Sequence, residues 1–319
     1  SLDIVSDRYV PEPILRPGLE LLAEMVHRPV VEGEGLNSTY VEQEKRFQIG
    51  RVRALVNNKI AYARQRCIEE MFRGEPFAQH ELGTEEEIAA ADPRSLLEHH
   101  RALIATSPID VYVVGDVDPA AVHEAVRGTL VGERAQTVDL GVTQVRRGEG
   151  DPREVVQEER MNQGWLVLGL RTDIARPDRD RYGMMFFNGI LGGFVHSKLF
   201  TNVREKASLA YQASSFYDAN KGVLMAIAGI DVGKYRQALE IMRKQIEDTV
   251  AGDYSDQDLE ATRRSLLSQY RMRLDNPDGR ILFHVGGTVE KVRESIEEAI
   301  AAIQQVDRAD IKRAGERLR

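Results

Sequence analysis

Arg204 and Tyr211 stand seven residues apart in the run 191–211, LGGFVHSKLFTNVREKASLAY. A guanidinium and a phenol both donate hydrogen bonds to a carbonyl oxygen. Two such donors aimed at one point can hold a carbonyl oxygen between them. The same residue types also fit a surface ion pair and a tyrosine packed in a sheet.

The elements around them can be read from the same run. It begins in a helix, passes a tight connection and ends in a strand. Leu199, Phe200 and Val203 give the helix a face to bury, Arg204 ends it, and Tyr211 opens the strand. Gly192 and Gly193 permit close backbone approach and make a candidate cleft loop. Upstream, residues 165–172 (WLVLGLRT) read as a strand and 178–191 as a helix. Downstream, residues 222–231 (GVLMAIAGID) read as a strand that is apolar nearly throughout.

At 319 residues the chain is longer than most single cores, so two domains are expected. Its composition is that of a globular protein, 42% hydrophobic and 29% charged. A net charge of −8 disfavours nucleic acid and anionic membranes as partners. No apolar stretch approaches the roughly 20 residues that span a bilayer. The lone cysteine, Cys67, excludes an internal disulfide and fits a reducing, cytoplasmic compartment. Its apolar helical surroundings mark it as a core residue.

Two parts of the chain run in parallel. GLELLAEMV (18–26), the segment 40–59 and DPRSLLEHH (92–100) are matched by ALEIMRKQI (238–246), the segment 258–278 and DRADIKRAG (307–315). The offset stays within a few residues of 220 throughout. Each copy reads as a helix, a loop, a long helix, a second helix and a short helix. In the first copy these are a helix over 15–27, a loop over 28–38, a long helix capped by Asn37 or Ser38, and helices over about 59–73 and 93–105. Residues 109–118 (IDVYVVGDVD) then read as a strand, and residues 2–10 align with strand 222–231. By this comparison the front of copy one lacks roughly 70 residues. The boundaries are 1–130 for the rear of the first repeat, 131–153 for a polar linker and 154–319 for the second repeat.

With the duplication, the paired glycines and REKASLAY on the page, the chain resembles the pitrilysin/insulinase-like zinc peptidases, which include mitochondrial processing peptidase. The likeness covers almost all of it. The stretch from 28 to 88 is most similar to a bacterial subgroup of non-catalytic paralogues that pair with an active relative. The resemblance implies an α+β fold: duplicated mixed β-sheet domains with helices on one face, the first copy incomplete.

Active members of that family hold zinc with H-x-x-E-H and with a glutamate from a downstream helix. No H-x-x-E-H occurs in these residues. The downstream helix is present as VEQEKRFQIGRVRAL, where the family carries two glutamates seven residues apart, the second being the ligand. Glu44 takes the first position and Arg51 the second. A guanidinium has no lone pair to give to an ion. Glu42 is the fallback if the register is shifted. No other constellation replaces the site: His99 and His100 point about 100° apart on a helix, and the remaining five histidines are isolated. There is no phosphate loop and no G-x-S-x-G elbow. The expectation is no metal in this chain, with zinc on a partner or on a missing segment.

In the family's catalytic members the second half supplies an arginine and a tyrosine that bind substrate carbonyl. Arg204 and Tyr211 match those positions. The implied role is an inactive, peptidase-like subunit, not catalytic alone, that lines a peptide chamber and supports a zinc-bearing relative. An extended peptide would add as a strand against the Gly192–Gly193 loop and strand 222–231. An incomplete sheet would leave an edge that pairs with a second copy or another chain. Two alternatives remain: an active zinc endopeptidase whose H-x-x-E-H lies upstream of residue 1, and a purely structural subunit.

Overall fold

A computed structural model describes residues 1–130, 134, 136–145, 152–159, 163–207 and 209–318. In chain order its elements are α1 (Leu15–His27), a short hairpin β1 (Val31–Glu32) and β2 (Gly35–Leu36), α2 (Ser38–Ala54), α3 (Lys59–Met71), α4 (Glu85–Ala90), α5 (Pro93–Thr106) and α6 (Pro119–Thr129). There follow β3 (Gly164–Arg171), α7 (Arg181–Asn188), β4 (Ala210–Asp218), β5 (Val223–Ile230), α8 (Tyr235–Val250), α9 (Asp256–Asp275), α10 (Pro277–Val289), α11 (Ile296–Gln305) and α12 (Arg308–Gly315). The class is α+β. No helix among the described residues is long and apolar enough to cross a membrane.

Local chemistry explains where the helices start. A helix leaves its first N–H groups without partners, and short polar side chains satisfy them. Asn58 caps α3 through the Ala61 N–H, and Asn276 caps α10 through the Gly279 N–H. Thr84 and Ser295 open α4 and α11 with reciprocal capping boxes. Asp92 caps α5, and Asp307 caps α12. The caps of α3, α4 and α5 are thus matched in kind and order by those of α10, α11 and α12.

The chain forms two compact units that cut across this repeat order. The first holds residues 1–54 and 81–141, and the second holds 55–80 and 142–319. In the first unit α1 packs with α6, and α5 lies on β2. Gly35 allows that approach, since a methyl group there would stand 2.9 Å from the Pro93 backbone. Leu19, Val41, Leu97 and Leu130 are its buried apolar side chains among the described residues.

Two strand readings in this unit need correction. Residues 109–114 are extended but pair with no strand among the described residues, and Ile109, Val111 and Val113 stay more than a third exposed. Residues 2–10 contain only a single 3-10 turn, Asp7–Tyr9. Apolar alternation proposes a strand, but only a hydrogen-bonded neighbour makes one.

The second unit is built on a sheet in the order β3-β5-β4, with both pairs antiparallel. Every residue of β5 is buried. Leu224, Ala226, Ala228 and Ile230 face the large helical core, while Val223 and Met225 face the other way, onto Phe72. Successive side chains alternate between faces, so a strand apolar throughout is one covered on both sides.

The second cover comes from α3 and the turn after it, residues that belong in sequence to the first repeat. Gly169 of β3 lies so close to this helix that a methyl group would stand 2.8 Å from the Cys67 Sγ. Arg171 fastens the segment, donating 2.7 Å hydrogen bonds to the Met71 carbonyl and to Glu75 Oε1, with its guanidinium 4.3 Å from the Phe72 ring centre. Of the 131–153 linker, residues 131–133, 135 and 146–151 lie outside the described residues. The remaining linker residues carry no regular structure.

Candidate functional site

The run 191–211 contains two wide turns of π geometry, Gly189–Gly193 and Phe200–Lys206, instead of one regular helix. π turns are rare and concentrate at functional positions. Leu199 and Val203 are wholly buried and anchor the second turn. Asn202 ties it to α8 by donating from its side-chain amide to buried Gln245. The turn closes when the Leu209 N–H donates to the Val203 carbonyl at 3.1 Å.

Arg204 lies on the exposed side of this turn, with its guanidinium carbon 4.5 Å from the Phe200 ring centre. That stacking holds a long, flexible side chain over an aromatic face. Tyr211 sits at a β-bulge. Ala210 pairs with Ile230 and Gln212 with Gly229, which leaves Tyr211 unpaired between them. A bulge turns a side chain away from the regular alternation, and Tyr211 is 77% exposed. Arg204 and Tyr211 share no hydrogen bond with each other among the described residues, and both residues are exposed. Periodicity cannot show a bulge, so the sequence offered no signal for it.

The paired glycines have different roles. Gly192 is buried against β4, and a methyl group there would overlap the Ser215 backbone nitrogen and stand 2.6 Å from Ser215 Oγ. Ser215 in turn donates to Asn188 Oδ1 at 2.8 Å. Gly192 thus locks the end of α7 to the strand that carries Tyr211. Gly193 is exposed and approaches only the Asn188 side chain and backbone.

His196 is a residue the sequence reading left as isolated. Its Nε2 is 3.0 Å from Thr262 Oγ1, and its ring stacks on Phe194 at 5.5 Å between centres. Burial pushes its imidazole below the ordinary value of 6.5. The contact ties the connection between the two wide turns to α9.

The strand 222–231 cannot accept a peptide along its edge. As β5 it is the central strand, paired on both sides, and an added strand needs unpaired N–H and C=O groups. Those belong to the outer strands of this sheet, β3 and β4.

In the first unit, Glu44 and Arg51 both lie on exposed faces of α2. Arg51 donates to Gln48 Oε1 at 3.1 Å. Lys45, beside Glu44, bonds the Ala91 carbonyl at 3.0 Å and forms an ion pair with Glu42. Among the described residues no three His, Cys, Asp or Glu side chains gather closely enough to share an ion. At the position where the family's downstream helix carries its ligand, the Arg51 guanidinium has no lone pair to give to an ion. Cys67 is not a nucleophile either: burial pushes its thiol up to about 11.

Comparison with known proteins defines the class. Residues 90–266 match the family model described as the peptidase M16 inactive domain. The chain belongs to the peptidase M16 family. It is 36% identical over 323 residues to the probable inactive metalloprotease YmfF of Bacillus subtilis, a match spanning 99% of this chain and 75% of that protein. Among solved structures, a conserved protein from Enterococcus faecalis V583 superimposes with a TM-score of 0.85 at 27% identity, covering 99% of this chain and 75% of that one. The peptidase M16 inactive domain from Pseudomonas fluorescens shares the fold, with a TM-score of 0.74 at 18% identity over 93% of this chain and 71% of that one.

Proposed function

We propose that this chain is a peptide-binding, non-catalytic M16 subunit that complements a zinc-bearing relative. Arg204 and Tyr211 are its carbonyl-binding donors. The observation that carries the reading is the bulge at Tyr211: a phenol 77% exposed at the start of a strand, beside a turn that carries the exposed Arg204. The outer edge of β4 continues from Tyr211 and offers backbone groups to an extended peptide.

Such a subunit supplies binding and electrostatic stabilisation, while the attacking water and its metal belong to the partner. Donors held in a water-poor chamber count for far more than in bulk water. The subunit also selects peptides by what fits along the strand edge.

The test is hydrolysis of a fluorogenic peptide library by the chain alone, by a zinc-bearing M16 protein from the same genome, and by the two mixed. The expected result is no turnover from the chain alone with added zinc, and turnover by the mixture above that of the relative alone. Turnover by this chain alone would overturn the reading, as would a mixture no more active than the relative.

A further inference from the structure

We propose that a cleft in the first unit, between the end of α1 and the last turns of α5, binds an organic anion with an apolar body. The cleft is about 460 Å³, a size typical of small-molecule sites. Its walls carry His27, Arg28, His100, Arg101 and Arg134, and no acidic side chain lines it among the described residues. Leu97 and Ile104 supply an apolar floor. The Nδ1 of His100 is buried there with no hydrogen-bond partner, a state that buried polar atoms rarely keep without a ligand or water.

Basic side chains are common at helix C-termini, where they complement the dipole. The internal duplication supplies a control for that explanation. The same cleft recurs in the second unit, between the end of α8 and α12, and there it is lined by Glu247, Lys312 and Glu316. Aligning Leu19 with Leu239 sets His27 on Glu247, and aligning Asp92 with Asp307 sets His100 on Gly315 and Arg101 on Glu316. The fold at this point therefore accepts carboxylates, and the cations of the first unit answer no requirement of packing. Arg134 donates to the Ser107 carbonyl and His27 Nε2 lies 3.2 Å from the Leu130 carbonyl, so Arg28 and Arg101 are the exposed cations of the cleft. Arginine's forked donors fit a carboxylate or a phosphate.

Titration calorimetry of the full chain tests this with octanoate, octyl phosphate, octylamine and inorganic phosphate. Saturable binding of octanoate or octyl phosphate is expected, the stronger of the two naming the head group, with no binding of octylamine. Inorganic phosphate is expected to bind more weakly than octyl phosphate. The double variant Arg28→Asp, Arg101→Glu installs charges of the second unit's sign at two exposed positions and is expected to weaken binding roughly tenfold or more. In the unaltered chain, octanoate is expected to shift the imidazole NMR signals of His27 and His100. Failure of both anions to bind, equal binding of octylamine, or unmoved His27 and His100 signals would overturn the proposal. A failed titration leaves the peptide-binding role untouched, since that role uses residues of the other unit.

Discussion

Gly192 rests directly on Ser215, with no room for a side chain between the end of α7 and strand β4. Backbone meets backbone here, and neither partner can swing aside. Gly192→Ala is expected to cost about 1–3 kcal/mol, the usual range for overpacking a filled core. Gly193→Ala meets mainly the Asn188 side chain and backbone at 2.9 Å or more and is expected to cost less. Urea unfolding of the two variants checks the contrast; equal midpoints would show that the Gly192–Ser215 contact does not lock α7 to β4.

Tyr211 and Arg204 should separate function from folding. Both are exposed, so Tyr211→Phe and Arg204→Ala are expected to change stability by less than about 0.5 kcal/mol. The same variants are expected to lower the activity of a mixture with a zinc-bearing relative by roughly tenfold or more. Peptide turnover by the mixture, measured beside thermal unfolding, checks both halves. Undiminished turnover would favour a structural subunit.

Arg171 is the tie between residues 55–80 and the sheet. Its ion pair with Glu75 is largely buried, with side-chain exposures of 14% and 12%. Removing one partner of such a pair strands the other charge, so Arg171→Ala is expected to cost about 3 kcal/mol or more. Limited proteolysis should then cut within 72–80 before it cuts elsewhere in the second unit. Unchanged cleavage would mean that the apolar contacts around Phe72 hold the segment without the ion pair.

His196 makes stability depend on pH. Its folded-state value lies below 6.5, so between the two values the unfolded chain binds the extra proton. Stability is then present above about pH 6.5 and is lost as the pH falls below it. Asp258 opposes the shift and Arg264 reinforces it, but burial is the largest cause. Unfolding measured from pH 7.5 to 5.5 should slope for the unaltered chain and flatten in His196→Gln. Parallel slopes would assign the effect to other groups.

Much of the helical frame was legible because its signals are local. The helix expected over 15–27 is α1 to the residue, and Pro93 opens α5 as its position required. The aligned Asn58 and Asn276 do the same job at the same place, capping the next helix. What could not be read depends on neighbours distant in sequence. Cys67, expected in the core, is half-buried, and the Gly169 it packs against lies a hundred residues on. Residues 109–118 carry the pattern of a strand, but no strand among the described residues pairs with them. The apolar run 222–231 suggested an open edge, whereas two-sided burial is what such a run records. At the site, Arg204 and Tyr211 were found by type and spacing, while the bulge and the wide turns that aim them follow from packing that no short window contains.

The loan of residues 55–80 to the second unit has a consequence for how this molecule can be taken apart. A fragment cut at the obvious repeat boundary, beginning near 154, would leave Val223 and Met225 facing water where Phe72 should shield them. Such a piece would be sticky and prone to clump, and supplying 55–80 as a separate peptide should rescue it. The pieces drawn from the sequence at 1–130 and 154–319 are therefore not the ones a pair of scissors should free.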